Sequence, residues 1–505
     1  MDMRRIALFA FLVTSFAPPI WATERAVTGG TIAGQELADG STIFYAIPYA
    51  APPVGNLRWK PPQPVVPWSG VRDATRPPAP CIQHDEGWNS KDAVESKEDC
   101  LYLSVHAPKH EPTAHLPVIF WIHGGSNLAG SGYGYADSAI YQRGVVLVAL
   151  EYRLGVFGFL GSSELTAESQ QHTSGNYAIL DQIAALDWVK HNITGFGGDP
   201  ANVTIAGQSA GAFDVGMLLL SPPARGLFHK AVMESGTPGL ALPVRSLAKN
   251  EAIGAQLAAL IHVPKGADEL AALRATPATS LITAGDKLVP PGQLDPSVIW
   301  GQAIVDGWVL PRAPLEILAA GEQAHVPLLI GNNTREFSLG GSNEARAVIK
   351  GIFGTNANRL LAAYGLSGAD TPAESPVLGQ VGTQVITDFI FRCPANEVAT
   401  FQHDAAEPVW RYQFGVAAPD ANGIVAHSAE LKYVFDAPPP RAALGIWPPV
   451  QRYWTNFAKT GNPNGAGLPN WPEMGKQADY IEFTPQGPRV GKHLREAICK
   501  LMRNS

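Results

Sequence analysis

The chain has 505 residues, of which 46% are hydrophobic and 16% are charged, and its formal net charge is −7 at pH 7. These values predict a folded globular protein with a large apolar core and exclude a disordered chain. Because the net charge is negative and no run of lysine or arginine occurs, they also argue against a nucleic-acid partner and against binding to anionic membranes. They leave the oligomeric state open.

The first residues have the pattern of a secretory signal peptide. Arg4 and Arg5 form a charged segment, and residues 6–16 form an apolar stretch that is too short to span a bilayer. We therefore assign residues 1–22 to a signal peptide and residues 23–505 to one folded domain. A retained membrane anchor is the less favoured alternative, because no longer apolar segment follows.

The cleavage site of the signal peptide is predicted after Ala22. Cleavage after Ala26 is the alternative, because Ile20, at the −3 position of the first site, is larger than the small residue preferred there. Either site predicts an exported protein, secreted or periplasmic, with no integral membrane segment after cleavage.

Downstream of this segment, short apolar runs of strand length alternate with helical patterns. The alternation predicts an α/β fold in which helices flank a mostly parallel central sheet. A helix is predicted between residues 175 and 193, where apolar side chains recur at helical spacing. The predicted strands cover residues 118–122, 145–150, 203–206, 231–233, 327–330 and 409–414.

A helix-rich segment, residues 244–314, falls between two of these strands. In sheets of this kind, ligands bind beyond the carboxyl ends of the strands. We therefore expect the segment to be an insertion that covers the active site and contributes to specificity.

Residues 207–211 read Gly-Gln-Ser-Ala-Gly, at the point where a predicted strand ends and a buried helix begins. This is the sequence context of a nucleophile elbow. Glycines flank the serine in such a turn because a Cβ there would collide with the adjacent strand and helix. Ser209 is therefore predicted to be a catalytic nucleophile.

A serine hydroxyl needs a base that removes its proton and an acid that orients this base. His427 follows a strand and a turn, which places it on a loop, and Glu336 lies in a polar turn directly after the strand at residues 327–330. The order Ser209, Glu336, His427 is the order nucleophile, acid, base of the α/β-hydrolases. We therefore predict that these three residues form a catalytic triad.

Backbone N–H groups near the serine would stabilise the charge that develops on a carbonyl oxygen during attack. Residues 123–126, His-Gly-Gly-Ser, follow a predicted strand ahead of the nucleophile. The N–H groups of Gly125 and Ser126, together with that of Ala210 at the start of the next helix, are predicted to form an oxyanion hole. A glycine turn that serves packing alone is the alternative interpretation.

The four cysteines of an exported chain predict two disulfides, although four cysteines permit three pairings. Their spacing favours Cys81 with Cys100 and Cys393 with Cys499, and free buried thiols are the alternative. Neither a CxxC pair nor clustered histidines indicate a metal site, so no metal is predicted. The predicted chemistry requires no cofactor.

Two long signatures resemble those of type-B carboxylesterases, the family that includes the cholinesterases and many bacterial esterases. Residues 196–211 combine Phe-Gly-Gly-Asp-Pro with a Val-Thr-Ile strand and the serine elbow, and residues 98–105 read Glu-Asp-Cys-Leu-Tyr-Leu-Ser-Val. Similar residues continue through 151–155, 175–177 and 453–458, so the resemblance covers nearly the whole mature chain. It implies an α/β-hydrolase fold with helical insertions over the active site.

The resemblance also assigns roles to single residues. Glu336 and His427 match the glutamate and histidine of the family's triad, and Ser235 resembles the serine that hydrogen-bonds within it. The two cysteine pairs named above match family disulfides. Ser126 stands where the family usually has a glycine, and Ser428 replaces the glycine that usually follows the histidine. Neither departure removes a catalytic group, and the one at Ser126 bears on the expected substrate range more than on activity.

Trp88 resembles in placement the aromatic residue with which cholinesterases hold quaternary ammonium ions. A role in substrate binding would follow from that resemblance. A packing or rim tryptophan is the favoured interpretation, because cation recognition needs several aromatic faces arranged together.

These observations predict a serine carboxylic-ester hydrolase that acts on a small-molecule ester through an acyl-enzyme. The competing class is a non-catalytic, cholinesterase-like binding protein, and the intact Ser209, Glu336 and His427 argue against it. Among enzymes, the alternatives are an amide or carbamate hydrolase with the same triad, a lipase, and an aryl or feruloyl esterase. The sequence does not select between these substrates.

Overall fold

A computed structural model describes residues 21–288, 296–436 and 449–503, apart from residues 112, 243, 265, 267, 419 and 420. Residues 1–20 of the predicted signal peptide lie outside the described residues. The two predicted cleavage positions, Ala22 and Ala26, lie in the first strand, which pairs with the second strand along its whole length.

Thirteen of the described strands form one sheet, and two short strands pair separately. The strands are β1 (Trp21–Val27), β2 (Gly30–Glu36), β3 (Thr42–Pro48), β4 (Val71–Asp73), β5 (Tyr102–Ala107), β6 (Leu116–Ile122), β7 (Val146–Leu150), β8 (Gly198–Gln208), β9 (Lys230–Glu234), β10 (Arg245–Ser246), β11 (Ile304–Val305), β12 (Leu328–Asn333), β13 (Val409–Phe414), β14 (Tyr480–Thr484) and β15 (Gly487–Gly491).

The centre of the sheet is parallel, in the order β7-β6-β8-β9-β12-β13-β14. Antiparallel strands extend it at both edges, β5, β3, β2 and β1 beyond β7, and β15 beyond β14. The prediction of a mostly parallel central sheet is therefore confirmed. All six predicted strands occur within it.

The largest difference from the predicted bounds is in β8, which begins at Gly198 rather than at Val203. The additional residues 198–202 read Gly-Asp-Pro-Ala-Asn, so they lack the apolar pattern of a buried strand. They belong to the strand because the ladder with β6 continues past an irregularity and pairs Leu116 with Gly198.

Helices cover both faces of the sheet. A π-helical segment, Thr387–Arg392, joins two of them, α13 and α14. The α-helices are α1 (Ser90–Glu95), α2 (Tyr133–Ala136), α3 (Gly155–Phe159), α4 (Ser163–Glu168), α5 (Tyr177–Asn192), α6 (Ala210–Leu220), α7 (Leu247–Leu260), α8 (Glu269–Ala275), α9 (Ala278–Gly285), α10 (Pro314–Ala319), α11 (Ser342–Phe353), α12 (Ala357–Ala363), α13 (Val381–Ile386), α14 (Cys393–Asp404), α15 (Leu431–Phe435), α16 (Val450–Thr460) and α17 (Glu496–Arg503).

The two layers of helices follow from the alternation of side chains along each strand. In β6, Val118, Phe120 and Ile122 pack in one apolar cluster together with residues of α5 and α6. Ile119 and Trp121 pack in a second cluster with residues of α16. Because successive strand residues point to opposite faces, a strand that is apolar throughout is buried on both sides.

The helices α7, α8 and α9 occupy the predicted insertion. Asn250 of α7 donates a hydrogen bond to the carbonyl oxygen of Phe159 in α3 (3.2 Å). At the other end of α3, the backbone N–H of Gly155 donates to the carbonyl oxygen of Asn127 (2.6 Å). The insertion therefore packs on a short helix that is bonded to the loop after β6.

Two disulfides are present, Cys81–Cys100 and Cys393–Cys499. They are the pairs that the spacing favours, and the second one attaches α17 to α14. Within the described part of the chain, no helix combines the length and apolar character needed to cross a membrane.

Candidate active site

Ser209 lies in a sharp turn between β8 and α6. Its backbone has a φ of 56° and a ψ of −122°, which few residues with a side chain adopt. A Cβ on Gly207 would lie 2.5 Å from the carbonyl carbon of Gly211, and a Cβ on Gly211 would lie 2.1 Å from the carbonyl oxygen of Ile122. Neither flanking position can therefore hold a side chain without moving the strand or the helix. The turn has the strand-turn-helix form of a nucleophile elbow.

Glu336 follows β12 and accepts three hydrogen bonds. Its Oε1 accepts from the Ser235 hydroxyl (2.7 Å) and from the backbone N–H of Asn333 (2.7 Å), and its Oε2 accepts from Nδ1 of His427 (2.6 Å). The side chain of Glu336 is fully buried. Because His427 donates its Nδ1 proton to this carboxylate, its Nε2 is the nitrogen that keeps a lone pair.

The imidazole of His427 packs against two phenylalanine rings. Its centroid lies 4.4 Å from that of Phe337 and 5.3 Å from that of Phe391. Its Nε2 lies 3.2 Å from the amide nitrogen of Gln208, so this amide donates to the nitrogen that would take the serine proton. Among the described residues, no hydrogen bond joins Ser209 Oγ to His427. Such bonds often form only when substrate is bound.

The loop after β6 borders the serine. A Cβ on Gly124 would lie 3.1 Å from the Cβ of Ser209. The next residues, Gly125, Ser126 and Asn127, have positive φ values of 111°, 58° and 56°. Tight turns of this kind bring successive backbone N–H groups together, and such a concavity favours an anion. The loop that carries two of the predicted oxyanion residues therefore lies beside the predicted nucleophile, and the third, Ala210, begins α6.

Buried polar side chains hold this loop. The Tyr152 hydroxyl donates to the carbonyl oxygen of His123 (2.6 Å), and the two rings stack 4.4 Å apart. Asn127 donates through Nδ2 to Asp214 (3.1 Å), which also accepts from Gln182 (2.5 Å). Burial raises the pKa of Asp214 to about 7, although these two hydrogen bonds lower it. The sequence does not predict these supporting roles, because the residues meet only when α5, α6 and the loop pack together.

Two further buried carboxyl groups lie near Glu336. Asn333 donates through Nδ2 to Glu430 (2.6 Å), and Trp454 donates through Nε1 to Glu234 (2.8 Å). Burial raises the pKa of Glu430 to about 7, and the charge of Glu336 acts in the same direction. Burial and the charge of Glu430 raise the pKa of Glu234 well above its usual range. Burial therefore disfavours a negative charge on Glu234, next to the chain position of Ser235.

Trp88 lies at the rim of the site. Its side chain is 65% exposed, and its Cη2 atom is 3.2 Å from the position that a Cβ on Gly125 would take. Trp88 is therefore largely exposed and lies beside the loop that carries the predicted oxyanion residues.

Comparison with known proteins decides the family. The family model described as "Carboxylesterase family" matches residues 21–502. The chain belongs to this carboxylesterase family. It is 33% identical over 550 residues to Carboxylesterase 5A of Felis catus, a match that covers 99% of this chain and 97% of that protein. It is also 33% identical over 493 residues to Fumonisin B1 esterase of Sphingopyxis macrogoltabida, with coverage of 92% and 87%.

Solved structures of esterases have the same fold as this carboxylesterase. A structure of PNB esterase superposes with a TM-score of 0.79 at 30% identity, and it covers 95% of this chain and 99% of its own. Carboxylesterase EST55 of Geobacillus stearothermophilus gives a TM-score of 0.80 at 31% identity, with the same coverage. The predictions of an α/β-hydrolase fold and of a serine carboxylic-ester hydrolase are confirmed. The competing prediction of a non-catalytic binding protein is thereby set aside.

Proposed function

We propose that this carboxylesterase hydrolyses esters through an acyl-enzyme on Ser209, with His427 as general base and acid and Glu336 as the residue that orients the imidazole. The observation that carries the proposal is the 2.6 Å hydrogen bond from His427 Nδ1 to the buried Glu336, beside the strained turn at Ser209. This bond holds the tautomer in which Nε2 can accept a proton.

In the acylation step, Ser209 Oγ attacks the carbonyl carbon of the ester while its proton passes to His427 Nε2. The amide of Gln208 now donates to this nitrogen, so it turns aside when the serine hydroxyl takes its place. The carbon–oxygen bond to the alcohol then breaks, and the imidazolium returns its proton to the departing alcohol. The carboxylate of Glu336 stabilises the imidazolium in between.

The backbone N–H groups of Gly125, Ser126 and Ala210 stabilise the tetrahedral oxyanion in this proposal. Loss of one such donor typically raises the barrier by about 3 to 4 kcal/mol. Ser235 acts through Glu336, because its hydroxyl hydrogen bond holds the carboxylate that orients the histidine. In deacylation, water attacks the acyl carbon and gives a proton to His427. The bond from the acyl carbon to Ser209 Oγ then breaks, His427 returns the proton to Oγ, and the acid leaves.

We propose a neutral small-molecule ester as the substrate. The net charge of −7 supports this choice, because it disfavours polyanionic ligands. Relatives differ in the substrates for which they are named, as one is named for fumonisin B1 and another, in Mus musculus, is named an acylcarnitine hydrolase. The ester and its acyl chain length therefore have to be measured.

The test is release of p-nitrophenol from the acetate, butyrate, octanoate and palmitate esters. Ser209→Ala should abolish turnover, whereas Ser69→Ala, which changes an exposed serine, should leave it unchanged. A fluorophosphonate probe should label the parent and Ser69→Ala but not Ser209→Ala. Turnover and labelling that persist in Ser209→Ala would refute the assignment of the nucleophile. The chain-length optimum distinguishes a carboxylesterase preference from a lipase preference.

We also propose that residues 1–22 are removed on export and that residues 23–505 form the mature, secreted or periplasmic domain. The two disulfides support export, because they persist in oxidising compartments. Cleavage after Ala22 leaves most of β1 paired with β2, whereas cleavage after Ala26 removes all but one residue of that strand. N-terminal sequencing of the exported protein should give Thr23, and an intact N-terminus would refute the proposal.

A further inference from the structure

A cavity of about 740 Å³ lies between α14, α17 and β13. The Cys393–Cys499 disulfide forms part of its wall, and none of Ser209, Glu336 and His427 lines it. The cavity is therefore separate from the proposed catalytic site.

One charged side chain of β13, Arg411, lines this cavity and is only 1% exposed. Its neighbours in the strand, Trp410 and Tyr412, pack in the aromatic cluster on the opposite face of the sheet. The alternation of strand side chains thus turns Arg411 toward α14 and the cavity.

The guanidinium of Arg411 has unused donors. Among the described residues, no acceptor bonds to its Nε or its Nη2, and both atoms are buried. In Arg58 and Arg153, the same two nitrogens each donate to one oxygen of a carboxylate, with distances of 2.6 to 2.7 Å. In those two residues the carboxylates belong to Glu98 and Asp181. Arg411 has the donors of such a pair without the carboxylate.

The buried acid Asp388, which pairs with the neighbouring Arg392, already has its partners. Asp388 accepts from Arg392, from Arg495 (2.6 Å) and from the Tyr364 hydroxyl (2.8 Å). The positive charge of Arg392 adds to the effect of burial, and together they lower the pKa of Arg411 to about 10. Arg411 is therefore still a cation at neutral pH, in surroundings that disfavour a cation.

Much of the remaining wall is apolar and includes Leu240, Leu315, Phe353, Phe389 and Met474. The other charged side chains of the wall are three acidic and three basic ones, so their charges balance. The unbalanced charge at this cavity is consequently that of Arg411, and it lies next to a surface that suits a hydrocarbon group.

We propose that Arg411 anchors a second ligand site in this cavity, which binds a carboxylate attached to an apolar body. The carboxylate supplies the acceptors that Nε and Nη2 lack, and the apolar body fills the cavity beside it. A monoanion fits better than a polyanion, because one unbalanced positive charge is present.

The test is isothermal titration of the full-length mature protein with octanoate and with octanamide, which has the same chain and no charge. The variants are Arg411→Gln and a matched control, Arg76→Gln, whose guanidinium is on the surface and pairs with Asp73. The parent and Arg76→Gln should bind octanoate equally, and Arg411→Gln should bind it about tenfold more weakly or worse. Octanamide should bind all three proteins alike.

A second variant keeps the test independent of the folding of Arg411→Gln. Leu315→Glu places a negative charge at a cavity residue that is 47% exposed, so the fold should tolerate it. It should weaken octanoate binding without changing turnover of p-nitrophenyl butyrate. Octanoate that binds only at the catalytic site would compete with substrate equally in all variants, and this result would overturn the proposal. Equal octanoate affinity in the parent and in both cavity variants would also overturn it, as would tight binding of inorganic phosphate with no binding of octanoate.

Discussion

Replacing Gly211 with alanine tests how tightly the elbow is packed. The added Cβ would lie 2.1 Å from the carbonyl oxygen of Ile122 and 2.8 Å from that of His123. Carbon–oxygen contacts in proteins lie at about 3.3 to 3.6 Å, so α6 must move away from the end of β6 by more than about 1 Å. This movement displaces the N–H of Ala210 relative to the loop that carries the other predicted oxyanion residues. A displacement of about 1 Å at a catalytic group costs on the order of 100-fold in rate.

The assay compares kcat/KM for p-nitrophenyl butyrate in the parent, in Gly211→Ala and in a control, Gly134→Ala. A Cβ on Gly134 would meet no atom within 4 Å, so this variant should stay within twofold of the parent. Gly211→Ala should keep about 1% of the parental kcat/KM and lose about 1 to 3 kcal/mol of stability from overpacking. The active fraction is counted by titration with a fluorophosphonate. If Gly211→Ala stayed within threefold of the parent, the contact would be relieved without moving the elbow, and the reasoning would be wrong.

Three further predictions concern the proposed triad acid, the second disulfide and a buried carboxyl group. Glu336→Gln should lower kcat by on the order of 10⁴-fold with little change in the unfolding midpoint, because it removes the charge that stabilises the imidazolium; steady-state kinetics would contradict this with a loss below tenfold. Replacing both Cys393 and Cys499 with serine opens a loop of 106 residues and should cost about 4 to 5 kcal/mol in urea unfolding, and reduction of the parent, which opens Cys81–Cys100 as well, should cost more. Because burial raises the folded-state pKa of Glu430 from 4.5 to about 7, the parent loses stability as the pH rises through this range. Glu430→Gln removes this loss, so the variant should gain up to about 3 kcal/mol relative to the parent between pH 5 and pH 8; parallel pH profiles would refute the burial argument.

The sequence predicts the parts of this fold that have a local signal. The strand at residues 409–414 has the predicted bounds, and the helix predicted between residues 175 and 193 is α5, Tyr177–Asn192. The edge strands β1, β2 and β15 have no such signal. Their residues are partly exposed, and they are strands because of the neighbours with which they pair.

The residues of the candidate site likewise divide into those with a local sequence signal and those without one. The elbow at Ser209 is marked by its own glycines, and chain order selects Glu336 and His427 from many other acids and histidines. The contact of Gln208 with His427 joins residues that are 219 positions apart, and no local pattern indicates it. Glu234 directly precedes Ser235, and Glu430 follows His427 by three residues. The raised pKa values of these two carboxyl groups depend on burial, which a single sequence does not reveal.

The long separation in the chain between the elbow at Ser209 and the loop of His427 has a consequence for the timing of biosynthesis. Translation proceeds at about 5 to 20 residues per second, so roughly 10 to 45 seconds pass between synthesis of the elbow and synthesis of the histidine loop. The sheet is completed later still, because β14 and β15 come from the end of the chain. A ribosome-bound chain therefore holds the proposed nucleophile without its proposed base, and ester cleavage by this pair begins only when almost the whole polypeptide has been made.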